Sequence, residues 1–176
     1  MSPGASTPEP AAPAPPLRRV LAYRLLLTIA LAVIAVDQLS KAWINTRLPL
    51  GTYGGSGSIP VVRGFFYIVH VGNTGAAWSM FSGRSVLLAA LAAATLVAIF
   101  LWRRALGLRD RVAQISFGLL CGGIIGNLVD RLRHGHVIDF LDFHFGSYIY
   151  PTFNLADAAI CVGVGLYLIQ SLRAPE

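Results

Sequence analysis

The sequence predicts an all-α integral membrane protein with four transmembrane helices, a small extracytoplasmic β-sheet cradle, and an outer loop or helix between spans three and four. Of its 176 residues, 55% are hydrophobic and only 12% are charged, whereas soluble domains carry roughly 25% charged residues. A soluble domain of this size buries only about 70% of the surface that its unfolded chain exposes. The composition therefore excludes disorder of the whole chain and favours one lipid-embedded domain.

Four apolar stretches are each long enough to cross a bilayer, which requires roughly 20 helical residues. They cover about residues 20–44, 85–102, 112–130 and 153–172. Period-two alternation is absent from them, which argues against a transmembrane β-barrel. The first stretch also has the basic and apolar regions of a cleaved signal peptide. Its candidate cleavage site, Ala30-Leu31-Ala32, lies inside the apolar core rather than after it, so a retained helix is the preferred interpretation.

The remaining segments differ from the spans in composition. Residues 1–19 hold six of the ten prolines and predict a disordered cytoplasmic tail, which leaves residues 20–176 as one membrane domain. Residues 47–83 are rich in Gly, Pro and β-formers and predict a small extracytoplasmic β element. Residues 132–152 form the second outer connection.

The distribution of positive charge indicates the orientation of the chain. The net charge is +6, and residues 102–111 alone contain four arginines. Short loops rich in arginine and lysine stay in the cytoplasm, so both termini are expected there, with the two outer connections across the membrane. A nucleic-acid partner is excluded by the lipid-facing composition, which explains the basic charge without one.

Small residues recur along the third apolar stretch. Gly118, Gly122 and Gly126 are spaced by four residues, with Gly123 beside them. Such spacing lets two helix backbones approach closely, so we expect a packing ridge. The alternative is that these glycines leave room for a ligand to lie against the bare helix backbone.

Polar residues gather at the outer ends of the spans, although charges are costly inside a membrane. They are Asp37, Lys41, Asn127, Asp130, Arg131, Asn154 and Asp157, joined by Asp139 from the outer connection between the last two spans. Their common depth predicts one polar site. Taken singly, local ion pairs on one helix face and a helix cap at Asn154 explain several of them without a ligand.

Asp139 and Asp157 differ from Asp37 and Asp130 because neither has a lysine or arginine three or four positions away. Two carboxylates brought together near lipid cannot both ionise cheaply, so one stays protonated while the other is a base. Such a pair can activate water and protonate a departing amine. A metal cluster of His134, His136, Asp139 and His144 is an alternative, but its spacing matches no known zinc pattern, and we expect no metal.

Four motifs follow one another along the chain. They are Asp37-Gln38-Leu39-Ser40-Lys41; Asn73-Thr74-Gly75-Ala76-Ala77-Trp78-Ser79; Gly126-Asn127-Leu128-Val129-Asp130-Arg131 with Gly135-His136-Val137-Ile138-Asp139-Phe140; and Phe153-Asn154-Leu155-Ala156-Asp157. In this order the chain resembles the bacterial lipoprotein signal peptidase family (signal peptidase II, prolipoprotein signal peptidase) over about residues 20–172. Trp78 stands where phenylalanine is more usual, the tail before Leu17 is extra, and Asp142 belongs to no motif.

The resemblance implies an intramembrane aspartic endopeptidase of the bacterial inner membrane, with its active site near the extracytoplasmic face and no cofactor. It implies cleavage of diacylglyceryl-modified prolipoproteins immediately before the lipid-modified cysteine, with Asp139 and Asp157 as catalytic residues. The pocket, which would also accept globomycin-type peptides, is implied to be lined or supported by Asp37, Lys41, Asn73, Gly75, Gly123, Asn127, Asp130, Arg131 and Asn154. Asp130 and Arg131 are expected to pair. The expected partners are these precursors and membrane lipid, and the expected state is a monomer.

The competing class is a non-enzymatic membrane protein, either a small carrier or an assembly factor. In that class the polar cluster only holds helices together. An asparagine substitution at Asp139 or Asp157 separates the two classes, because a peptidase would lose cleavage while remaining folded.

Overall fold

The structure, a computed structural model, describes residues 21–54, 57–76 and 80–173. The predicted tail at residues 1–19 and the Trp78 position lie outside these ranges. Four long helices make up most of the described chain: α1 (Arg24–Arg47), α2 (Ser85–Trp102), α3 (Arg111–His134) and α4 (Leu155–Arg173). Each is long and apolar enough to cross a membrane. The predicted multi-pass membrane fold is therefore confirmed.

A small antiparallel sheet accompanies the helices. Its strands, in spatial order, are β1 (Ile59–Val62), β2 (Phe66–Asn73), β3 (Val137–Phe145) and β4 (Tyr148–Ile149). One detail differs from expectation: the connection between the third and fourth spans is strand rather than loop or helix. β-Branched and aromatic residues favour strands and fill most of β3, but Asp139 and Asp142 interrupt the apolar pattern that would reveal it.

Both ends of α3 are set by local chemistry. The carboxylate of Asp110 accepts hydrogen bonds from the backbone N–H groups of Val112 and Ala113, at 2.9 and 3.0 Å, as an N-cap does. At the other end, Gly135 adopts the left-handed conformation with φ of 74°, which an L side chain resists and which ends a helix. The chain then turns directly into β3.

The glycine ridge of α3 packs against α1, as predicted. A methyl group added at Gly118 would lie 3.0 Å from the carbonyl oxygen of Leu26, and one at Gly122 would lie 2.9 Å from that of Ala30. On the opposite side, a methyl group at Gly163 of α4 would lie 2.6 Å from a carbonyl oxygen of α3. The three backbones approach closely because these positions lack side chains.

A buried apolar cluster attaches the sheet to the end of α1. Ile44 of α1 packs with Ile138 and Phe140 of β3, and each of the three is at most 5% exposed. Side chains alternate between the two faces of a strand, so Asp139 points away from this cluster. It faces the ends of α3 and α4, where the polar residues lie.

Candidate active site

The predicted polar residues come together at one end of the helical bundle, beside the sheet. This polar cluster consists of Asp37, Lys41, Asn73, Asn127, Asp130, Arg131, Asp139, Asn154 and Asp157. Six of its members are at most 6% exposed: Asp37, Lys41, Asn127, Asp130, Asp139 and Asn154. Buried polar groups on this scale require partners, and hydrogen bonds and ion pairs within and around the cluster supply them.

Asp139 is held by two side-chain amides. Nδ2 of Asn154 donates to its Oδ1 at 2.7 Å, and Nδ2 of Asn73 donates to its Oδ2 at 2.9 Å. Burial and the neighbouring carboxylate of Asp157 raise the pKa of Asp139 to about 7, against the smaller opposing effect of the two amides. Because this pKa lies near neutrality, Asp139 can hold or release a proton at ordinary pH.

Asp157 is fixed by the start of α4. The backbone N–H of Asp157 donates to Oδ1 of Asn154 at 2.9 Å, and the backbone N–H of Asn154 donates back to Oδ2 of Asp157 at 3.3 Å. This reciprocal pair is a capping box, which confirms the predicted cap at Asn154. The other carboxylate oxygen, Oδ1, accepts from Nδ2 of Asn127 at 2.7 Å. The local sequence that begins the helix thus also orients the Asp157 carboxylate.

Lys41 links three other members of the cluster. Its Nζ lies 2.9 Å from Oδ2 of Asp37 and 2.8 Å from Oδ2 of Asp130, and it donates to Oδ1 of Asn127 at 3.0 Å. This corrects the expectation that Asp130 pairs with Arg131. Consecutive residues on a helix project about 100° apart and do not face each other, so Asp130 reaches α1 while Arg131 points elsewhere.

Arg131 contacts the loop after β2. One of its guanidinium nitrogens donates to the carbonyl oxygen of Gly75 at 3.0 Å, and the Gly75 N–H donates to Oδ1 of Asn73 at 2.8 Å. Gly75 itself is buried. These bonds hold the loop beside Asp139 at a fixed distance from α3.

Gln38 is a member of the site that the sequence analysis missed. Its Nε2 donates to Oδ1 of Asp130 at 2.9 Å and to the carbonyl oxygen of Gly126 at 3.2 Å. Next to it, Oδ1 of Asp37 accepts the backbone N–H of Ala156 at 3.0 Å. Gln38 therefore binds α3, and its neighbour Asp37 binds α4. Gln38 could have been predicted from the sequence, because it lies inside the first motif, between Asp37 and Lys41.

A cavity of about 830 Å³ lies in front of the two aspartates. Its polar wall includes Asn73, Asn127, Arg131, Asp139 and Asp157, and its other walls include Tyr53, Ile149, Tyr150, Pro151, Phe153 and Ile160. The volume is in the range of ligand-binding pockets, and apolar walls with a few convergent polar groups are typical of them. The cavity combines a pair of carboxylates with room for a bound chain.

Gly123, which was predicted to line or support the pocket, and His144, a candidate metal ligand, do not line this cavity. Gly123 packs α3 against α4, because an added methyl group would collide with the carbonyl oxygen of Ala156. His144 pairs with the buried Asp142 at 2.8 Å. Over residues 21–54, 57–76 and 80–173, no group of three His, Cys, Asp or Glu side chains is arranged to hold a metal ion.

Comparison with known proteins identifies close relatives. A lipoprotein signal peptidase from Bacillus pumilus (strain SAFR-032) is 39% identical over 144 residues, covering 82% of this chain and 90% of the relative. A lipoprotein signal peptidase from Syntrophotalea carbinolica (strain DSM 2380 / NBRC 103641 / GraBd1) is 43% identical over 154 residues, covering 86% of this chain and 92% of the relative.

The chain also resembles solved structures and matches a family sequence pattern. A bacterial membrane enzyme structure obtained by the in meso method at 2.3 Å resolution superposes with a TM-score of 0.75 and 31% identity, covering 84% of this chain and 87% of that one. A second such structure, at 1.9 Å, gives a TM-score of 0.73 at 31% identity, covering 85% and 94%. The family Peptidase_A8, described as signal peptidase (SPase) II, matches residues 29–173. The chain belongs to the signal peptidase II family.

Proposed function

We propose that this chain is an intramembrane aspartic endopeptidase that removes signal peptides from diacylglyceryl-modified prolipoproteins, cleaving immediately before the lipid-modified cysteine. The observation that carries the proposal is the pair Asp139 and Asp157. Both carboxylates line one cavity, both are held by amide donors, and within the described ranges neither forms an ion pair with a basic side chain. Relatives named lipoprotein signal peptidase support the class of substrate.

In the proposed reaction, the two carboxylates share one proton and act on a water molecule between them. The ionised carboxylate takes a proton from the water as its oxygen bonds to the scissile carbonyl carbon. The protonated carboxylate gives its proton to the carbonyl oxygen, which forms a tetrahedral diol. In the second step, the carboxyl that took the water proton gives it to the leaving nitrogen, and the other carboxylate takes a proton from one diol hydroxyl. The C–N bond breaks as the new carboxylic acid forms, and the pair again holds one proton. This proton belongs to the pair, and the pKa of about 7 for Asp139 places its release near neutral pH.

The amide side chains and Arg131 have separate tasks in this proposal. Asn73, Asn127 and Asn154 keep the carboxylates in place before the substrate arrives, which lowers the cost of reaching the transition state. Arg131, through Gly75, holds the loop that forms one side of the cavity. Asp37, Lys41 and Asp130 stabilise the helices behind the site.

The proposed location follows from the position of the site in the bundle. The polar cluster lies at the ends of α1 and α3 that are farthest from the arginine-rich turn at residues 102–111. If that turn is cytoplasmic, the site lies near the extracytoplasmic face of the inner membrane, and both termini are inside. Acyl chains of the modified cysteine would then stay in the bilayer while the peptide occupies the cavity. A monomer of residues 20–176 suffices for this, and globomycin-type peptides would compete for the same cavity.

The test is cleavage of a purified diacylglyceryl-modified precursor by the full-length chain in detergent micelles. Asp139→Asn and Asp157→Asn should each abolish cleavage and remain monodisperse, and Asp110→Asn, an exposed acid at the far end of α3, should cleave like the wild type. The unmodified precursor should not be cut. Near wild-type cleavage by either Asn variant would show that the aspartate pair is not catalytic, and a folded wild-type chain without cleavage would favour the non-enzymatic class.

A further inference from the structure

The turn between α2 and α3, the basic turn, borders a second cavity that is open to the outside, at the end of the bundle opposite the polar cluster. It has a volume of about 480 Å³. Its lining consists of Tyr23, Arg103, Arg104, Gly107, Leu108 and Arg109. Three arginines and a tyrosine therefore border one space, formed by the seven residues 103–109 and by Tyr23, which directly precedes α1.

This basic turn is held in a fixed conformation. Leu108 is only 3% exposed and packs in an apolar cluster with Ala113 and Phe117. The Leu108 N–H donates to the carbonyl oxygen of Arg103 at 3.2 Å. Arg103 in turn lies 4.5 Å above the Phe100 ring and donates to the Phe100 carbonyl oxygen at 2.7 Å. A ligand would meet a turn whose backbone and Arg103 side chain are already ordered, so that part of the entropic cost of binding is avoided.

The positive charge of the basic turn has no acidic partner. Within the described part of the chain, none of Arg103, Arg104 and Arg109 forms an ion pair. The nearest acid in the sequence, Asp110, is occupied by the cap of α3 and by Nε2 of Gln170, which donates to it at 2.6 Å. Three arginines without an acidic partner therefore give this cavity a positive potential that attracts anions.

We propose that the basic turn binds the phosphate-containing headgroup of an anionic membrane phospholipid. Guanidinium groups bind phosphate oxygens through paired, charge-assisted hydrogen bonds, and basic pockets at the ends of membrane helices are suited to anionic headgroups. Leu101 and Trp102, at the adjoining end of α2, are 63% and 61% exposed. They offer an apolar surface for the acyl chains, which free phosphate would leave unused.

The experiment measures lipid retention by the full-length chain with native mass spectrometry, during titration with phosphatidylglycerol or phosphatidylcholine. Phosphatidylglycerol should bind more tightly than phosphatidylcholine. Arg103→Gln, Arg104→Gln and Arg109→Gln together should weaken phosphatidylglycerol binding by roughly a hundredfold, at about fivefold for each arginine. The single change Arg104→Gln, at an exposed position, should lose about fivefold and serves if the triple variant does not fold.

The matched control removes the same charge from the other end of the molecule, as Arg63→Gln, Arg84→Gln and Arg133→Gln, all at exposed positions. It should retain phosphatidylglycerol like the wild type. Equal losses in the two triple variants would show that overall charge, rather than the basic turn, determines binding, and would overturn the proposal. Equal affinity for phosphatidylglycerol and phosphatidylcholine would overturn it as well. Displacement of phosphatidylglycerol by inorganic phosphate at equal concentration would show a site for soluble anions instead. The result is independent of cleavage activity.

Discussion

The side-chain amide of Asn154 donates a hydrogen bond of 2.7 Å to Oδ1 of Asp139, and its side-chain oxygen caps α4. One residue thus has two separable tasks. Asn154→Ser keeps a good capping oxygen but loses the amide. The buried Asp139 oxygen is then unpaired, which should cost about 1–3 kcal/mol of unfolding free energy. The carboxylate is also held less well, so we expect kcat/KM to drop by about tenfold to hundredfold.

The matched variant Asn154→Ala removes the cap as well. It should cleave as poorly as Asn154→Ser and lose about 1 kcal/mol more of unfolding free energy. Thermal unfolding and cleavage assays on both proteins separate the tasks. If Asn154→Ser cleaves like the wild type, the hydrogen bond to Asp139 has no catalytic value.

The pKa of Asp139, raised to about 7 by burial and by the Asp157 carboxylate, predicts the pH dependence of both stability and activity. In the unfolded chain this carboxyl titrates near 3.8, so folding favours the protonated form. Its stabilising contribution is full below about pH 3.8 and is lost as the pH rises through about 7. Since the proposed acid must be protonated, kcat/KM should fall about tenfold per pH unit above about pH 7.

A substitution at Asn73 tests whether Asp139 is the group that makes kcat/KM fall at high pH. The Asn73 amide favours the ionised form of Asp139 and so lowers its pKa. Asn73→Ala should therefore move the falling limb of the kcat/KM profile to higher pH, and Asp110→Asn should leave the limb in place. If the fall of kcat/KM occurs at the same pH in Asn73→Ala as in the wild type, a group other than Asp139 causes it.

The sequence predicted the helices and most members of the polar cluster from local features, whereas Asn73 was predicted only from the family resemblance. Apolar length reveals a span, and Asp139 and Asp157 were distinguishable because neither has a lysine or arginine three or four positions away. Strand β3 was not predicted, since Asp139 and Asp142 break its apolar pattern for reasons that lie in the tertiary structure.

The partner of Asp130 could not be inferred either. Lys41 and Arg131 are both available in the sequence, and only the packing of α1 against α3 decides between them. The catalytic role of the aspartates stays a prediction until cleavage is measured.

Lys41 neutralises two buried carboxylates, those of Asp37 and Asp130, which are at most 2% exposed. Lys41→Met preserves the side-chain length but leaves both acids without a cation. Breaking a buried ion pair on one side costs about 3–5 kcal/mol, so we expect a large drop in the thermal unfolding midpoint in detergent micelles.

A charge-neutral combination is the control for Lys41→Met. Adding Asp37→Asn and Asp130→Asn to Lys41→Met removes the uncompensated charges and should recover much of the lost stability. If the triple variant is no more stable than Lys41→Met, the loss arises from packing of the lysine stem rather than from charge.

Gly123 controls the distance between α3 and α4 behind Asp157. A methyl group there would collide with the backbone carbonyl of Ala156 and lie 2.7 Å from Ile160, so Gly123→Ala must separate the helices and displace Asp157 from Asp139. A misplacement of about 1 Å can cost about a hundredfold in rate, which is the loss we expect in kcat/KM. Gly165→Ala, on α4, meets no atom within 4 Å and should cleave normally. Equal activity of the two variants in the lipidated-precursor assay would show that the spacing of α3 and α4 does not set the geometry of the aspartates.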